Sequence, residues 1–121
     1  LGEITDALIP VALDGAFAHD PRETEPARSG ILDNDVGATA VDGVPLFLAS
    51  GTKDDRVVID RFRDTARQIC ETGQVARVVV VPDATHDSVI GAVSDQVTAF
   101  LDDALAGRPP TDDCPEVLAA G

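Results

Sequence analysis

Methionine is absent from the sequence, lysine occurs once (Lys53), and histidine and cysteine occur twice each. A chain without methionine is expected to be a processed product or an excised piece of a longer polypeptide. No apolar run approaches the roughly 20 residues needed to span a bilayer. The segment from Leu1 to Val11 also lacks the basic start and apolar stretch of a signal peptide, so no stable membrane anchor is expected. His19, His86, Cys70 and Cys114 show no ligand spacing, so neither a metal nor a cofactor is expected. Basic residues are scarce: nine stand against 22 acidic ones, a formal net charge of −13. That surface repels phosphate backbones and anionic headgroups, which excludes nucleic acid as an expected partner. The charge is scattered along the chain, as in an acidic surface that serves solubility. Residues 1–30 hold no repeat and no low-complexity tract.

What is present suits one domain with a modest core: 121 residues, 44% of them hydrophobic. Residues 1–30 hold a short apolar stretch, Ile9 to Leu13, and then a polar segment with two prolines, His19 to Gly30. They read as the end of a cap followed by a linker. Residues 31–121 carry sharper signals. Val44-Pro45-Leu46-Phe47-Leu48-Ala49-Ser50 is a continuous apolar run stopped by Gly51, the pattern of a buried parallel strand. Val58, Phe62, Ala66 and Ile69 recur on one face of a helix that Gly73 is placed to end. Arg77 to Val81 is a second, β-branched strand bounded by Pro82. Val89, Val93, Val97, Phe100 and Ala104 mark a second amphipathic helix, stopped by Gly107 and Pro109-Pro110. The tail from Thr111 reads as short and polar around Cys114.

The order strand, helix, strand, helix is the unit of a parallel α/β sheet. Two parallel strands are marginal alone, so the chain is expected to be incomplete on its own and to need the remainder of a larger sheet or self-association. In such sheets reactive groups gather beyond the C-terminal ends of the strands. There the sequence places Gly51-Thr52-Lys53-Asp54-Asp55 and Pro82-Asp83-Ala84-Thr85-His86. Taken alone, an acid at such a turn is more often a cap or turn residue, and a loop histidine is more often a surface residue. Together, in this order and at adjacent strand exits, they suit the carboxylate and imidazole of a Ser-His-Asp triad, with the nucleophile earlier in the chain. Asp54, which closes the turn Gly-x-x-Asp, is preferred as the acid. Asp55 is then expected to cap the following helix, Asp87 to cap the last helix, and His19 to lie on the surface. None of Ser29, Ser50, Ser88 and Ser94 has the Gly-x-Ser-x-Gly surroundings of a nucleophile elbow, so the serine is expected outside this chain.

These residues resemble the C-terminal region of the secretory lipase family, α/β-hydrolases with a helical cap. The likeness runs from Val44-Pro45-Leu46-Phe47-Leu48 to Gly51-Thr52-Lys53-Asp54, then through Cys70-Glu71-Thr72-Gly73 and Thr85-His86. It closes with Phe100-Leu101, Leu105-Ala106-Gly107-Arg108-Pro109 and Cys114, and so covers about residues 31–114. The sequence departs from the family at Val58, where proline is common, and at Thr85, where glycine is. By this resemblance Asp54 is the triad acid and His86 the triad histidine of a lipase or esterase acting on small ester or lipid substrates, triacylglycerols among them. The secreted setting that the resemblance implies, with only two cysteines present, favours a Cys70–Cys114 disulfide. Two other functions are weighed against it. A serine peptidase of the prolyl-oligopeptidase type uses the same triad order. A non-catalytic α/β interaction module, such as a receiver domain, requires acidic residues and a lysine in places this sequence does not supply.

Overall fold

A computed structural model of the chain describes residues 19–35, 37 and 39–120. The apolar stretch Ile9 to Leu13 lies outside the described residues. The chain divides into two compact units, 1–35 and 36–121. In the first, the segment read as a linker carries helix α1, Ala27–Asp33. Its first turn is held by Glu25, whose Oε2 accepts the Ser29 N–H at 3.2 Å and the Ser29 hydroxyl at 2.6 Å. A carboxylate that satisfies an early helix N–H replaces the missing N-cap side chain. No residue of α1 is buried, which is why no apolar periodicity announces it. His19 is exposed.

The second unit runs β1 (Leu46–Gly51), α2 (Ile59–Glu71), β2 (Ala76–Val81), α3 (Val89–Leu105) and α4 (Cys114–Ala119). The described residues thus form a mixed α/β structure with a two-stranded parallel sheet and four helices. The strands pair in register from Leu46 opposite Ala76 to Gly51 opposite Val81. β1 starts two residues later than its apolar run. Val44 and Pro45 instead lead into it, and Gln74 Nε2 donates to the Val44 carbonyl at 2.6 Å. Gly73 and Gly107 follow α2 and α3 with positive φ, +81° and +67°. After α3, Gly107 N–H bonds Ala104 O and Arg108 N–H bonds Asp103 O, the paired closure of a Schellman motif.

Strand alternation divides the contacts between two faces. Leu46, Leu48 and Val78 pack with Ile69 and Cys70 of α2 and with Cys114 and Val117 of α4. Phe47 points the other way and meets Phe100 of α3 edge to face, with ring centroids 5.5 Å apart. The first face holds Ile69, the one large side chain that is fully buried among the described residues. α3, which packs on the second, itself leaves apolar side chains uncovered: Ile90 and Leu105 are 73% and 88% exposed.

The tail read as polar does more than trail off. It runs along the outer edge of β2, where Asp113 N–H donates to Ala76 O at 2.8 Å. Val78 N–H donates to Asp113 Oδ2 at 2.8 Å, and Ala76 N–H to Asp112 Oδ1 at 3.3 Å. Arg77 Nη1 lies 2.8 and 2.9 Å from the two oxygens of Asp113. The tail then forms α4, with Pro115 in its first turn, and a Cys70–Cys114 disulfide with Cα atoms 5.2 Å apart fastens it to α2. Six residues are too few to display a helical period, so α4 left no pattern to read. The edge of β2 is therefore occupied by two side-chain carboxylates and a covalent anchor, a usual way of closing a strand to further pairing.

Candidate active site at the strand exits

Both strands end in turns that meet. After β1 the chain closes a turn with Asp54 N–H on Gly51 O at 3.2 Å. That turn carries the Asp54 carboxylate inward, where its side chain is 4% exposed. Its two oxygens divide the work. Oδ1 accepts the backbone N–H groups of Arg56 at 2.9 Å and Val57 at 2.8 Å. Oδ2 lies 3.0 Å from His86 Nδ1. The Val57 N–H is the largest influence holding the Asp54 carboxyl below its ordinary pKa; burial opposes it, and His86 and the Arg56 N–H reinforce it. The group facing the imidazole is therefore a carboxylate anion at neutral pH.

His86 stands in the turn that opens α3. Thr85 O accepts Val89 N–H at 3.1 Å. The Thr85 and Ser88 side chains also serve each other's backbone: Thr85 N–H donates to Ser88 Oγ at 2.8 Å and Ser88 N–H to Thr85 Oγ1 at 3.3 Å. This reciprocal pairing is a capping box with serine in the place of the usual Glu or Gln. It fixes the backbone on either side of His86, whose side chain is 41% exposed. With Nδ1 engaged by Asp54, Nε2 is the nitrogen left for a reacting group, and no described residue hydrogen-bonds to it.

The two loops approach closely. A Cβ on Gly51 would collide with the carbonyl oxygen of Ala84, so only glycine fits there. Ala84 O in turn accepts Lys53 N–H at 2.9 Å. Exposed ion pairs bridge the loops on either side of the His–Asp contact, Lys53 Nζ to Asp83 Oδ1 at 2.8 Å and Arg56 Nη1 to Asp87 Oδ1 at 3.5 Å. Each contributes little to stability at such exposure. Their effect is to frame the site with paired charges of both signs.

Neither of the two aspartate caps expected from the sequence forms. Asp55 is exposed and does not cap α2, whose N-cap position is Val58 with no side-chain cap. Asp54 takes the neighbouring N–H groups instead. Asp87 does not cap α3 either: its carboxylate turns to Arg56, and Thr85 and Ser88 close the first turn. Of the serines, Ser50 is buried with no hydrogen-bond partner for its hydroxyl, and Ser88 is held by Thr85. Among the described residues no group of three or more His, Cys, Asp or Glu could hold a metal ion. Thr52, Asp83, Thr85 and Ser88 shape the site, and the sequence assigned none of them that role. Pro82-Asp83 as a turn and Thr85-x-x-Ser88 as a cap were the legible signals.

Compared with models of known families, with curated proteins and with solved structures, the chain finds no match in any of the three.

Proposed function

We propose that this chain is the acid-and-histidine portion of a carboxylic ester hydrolase of the α/β-hydrolase kind, similar to the secretory lipases. Residues 1–30 are the end of its cap or linker and 31–121 the C-terminal part of its hydrolase domain. The nucleophilic serine lies outside this chain. The observation that carries the reading is the Asp54–His86 contact of 3.0 Å at adjacent exits of parallel strands, with the carboxylate buried and anionic and Nε2 turned free.

Such a pair suits acyl transfer. Asp54 holds the Nδ1–H tautomer, so Nε2 can take the serine proton as the hydroxyl oxygen attacks the ester carbonyl. The imidazolium formed faces a carboxylate that compensates its charge. Nε2 then returns the proton to the departing alkoxide, leaving an acyl-enzyme. A water deprotonated by the same Nε2 hydrolyses that ester, and the proton passes back to the serine. Val57, Val58 and Ile90, in the segments that carry the pair, are exposed apolar side chains and suit an acyl chain better than a charged substrate.

The exposed apolar face of α3 and the open side of β1 are where the rest of the domain, or a second copy of the isolated chain, would pack. The Cys70–Cys114 disulfide supports a secreted setting. No described helix is long and apolar enough to cross a membrane.

The test is turnover of p-nitrophenyl esters and labelling by a fluorophosphonate. A polypeptide that carries the preceding segments should do both, and His86→Ala should abolish turnover. This chain by itself should do neither. Ester hydrolysis by these 121 residues that His86→Ala removes would place the nucleophile inside them. A longer polypeptide that hydrolyses no ester would overturn the reading altogether.

A further inference from the structure

We infer that Thr52 is the positioning residue of the Asp54–His86 pair, acting through the backbone of Asp83; this rests on the role proposed above for the pair. β2 leaves the sheet through the turn Val81-Pro82-Asp83-Ala84, closed by Ala84 N–H on Val81 O at 3.4 Å. Proline stands at its second position and a residue with φ of +59° at its third, the pattern of a type II turn, where glycine or asparagine is the usual occupant. Here the occupant is Asp83, the one non-glycine residue with positive φ among the described residues. A side chain at that φ is disfavoured, and such a conformation persists only where its surroundings impose it.

The surroundings are the exit of β1. Asp83 N–H donates to Thr52 Oγ1 at 2.8 Å, and that hydroxyl is the acceptor the turn's own geometry leaves unsupplied. Thr52 itself is held by the last rung of the ladder, its N–H on Val81 O at 3.0 Å. The neighbouring link, Lys53 N–H to Ala84 O at 2.9 Å, ties the next residue of the turn to the same segment. His86 follows Asp83 by three residues and Asp54 follows Thr52 by two. The threonine hydroxyl therefore spans the two loops at the point from which both members of the pair depart.

A glycine at position 83 adopts the turn without help, and would make the hydroxyl dispensable. With aspartate there, the register of His86 against Asp54 depends on it. Asp54, Asp55, Asp83 and Asp87 and the cations Lys53 and Arg56 are the charged groups of these loops, and none is altered by a change at Thr52.

The experiment is NMR on the intact, disulfide-bonded chain with selectively labelled histidine. It reads the downfield Nδ1–H resonance of His86, its protection from solvent exchange, and the Nδ1 and Nε2 shifts that report the tautomer. Thr52→Val, nearly the same shape without the acceptor, should lower the exchange protection at least tenfold and mix the tautomers. Thr52→Ser should restore both. In an Asp83→Gly background, Thr52→Val should have no effect. Unchanged protection and tautomer in Thr52→Val would overturn the inference. So would equal losses in Thr52→Ser and Thr52→Val, or a loss in the Asp83→Gly background as large as in the wild type. These readouts need no nucleophile. If the dependence on Thr52 holds and no ester is turned over, the hydrolase reading fails and the positioning role stands.

Discussion

The carbonyl oxygen of Ala84 occupies the space that a side chain on Gly51 would need. One strand exit is thereby pressed against the other, and the loop bearing His86 lies on the loop bearing Asp54.

Gly51→Ala should force the loops apart and cost about 1–3 kcal/mol, the usual range for overpacking a close contact. Gly73→Ala is the control: its φ is +81° but nothing lies within 4 Å of its would-be Cβ, so it should cost only about 1 kcal/mol of backbone strain. Thermal unfolding compares the two. The loss of the His86 Nδ1–H signal should accompany the first variant alone.

Asp54→Asn should separate the roles of the two neighbouring acids. In an active, longer polypeptide it should lower kcat by roughly 10⁴-fold, because an amide cannot hold the Nδ1–H tautomer. Asp55→Asn should leave kcat within about twofold, since Asp55 is exposed and takes no part in the contact. The reverse ranking would identify Asp55 as the acid.

Acid should weaken the fold through Asp54. Its folded-state pKa lies below the ordinary value of 3.8. The group therefore contributes stability that is fully present above that unfolded value and is lost as pH falls through the depressed one. Urea unfolding of wild type and Asp54→Asn, followed from pH 6 down to about pH 2, should give curves whose difference shrinks toward the acid end. A difference independent of pH would show that the carboxylate's charge contributes nothing.

Reduction should both destabilise the chain and open an edge. The Cys70–Cys114 bridge spans a sequence separation of 44, so closing that loop in the unfolded chain contributes about 4 kcal/mol by the chain-entropy argument. It also anchors the tail whose Asp112 and Asp113 occupy the N–H groups of Ala76 and Val78. Cys70→Ser/Cys114→Ser should lower the urea midpoint and increase self-association in light scattering. Free thiols in the unreduced, denatured protein would remove the bridge and this expectation together.

The exposed apolar face of α3 should govern association of the oxidised chain. Ile90, Leu101 and Leu105 are exposed, and a dimer at micromolar concentration is expected. Leu101→Lys should shift it to monomer without lowering the urea midpoint. A wild-type chain that is monomeric at those concentrations would show that this face is tolerated in water.

What the sequence determined by itself was the alternation of elements. A helical face at Val58, Phe62, Ala66 and Ile69 or an unbroken β-branched run at Val78 to Val81 admits few conformations, because burial must follow the local period. The place of the loops followed, since parallel strands put their exits on one side. The tertiary structure decided the rest. The turn Gly-x-x-Asp already favoured Asp54 over Asp55, but the contact of Asp54 with His86 depends on where the two loops lie in space. Asp87 lies within reach of a helix start, but Arg56 from another loop draws its carboxylate away. The tail's course along β2 follows from acceptors meeting N–H groups some 36 residues distant. Long-range hydrogen bonds of this kind depend on coordinates that no window of neighbouring residues contains.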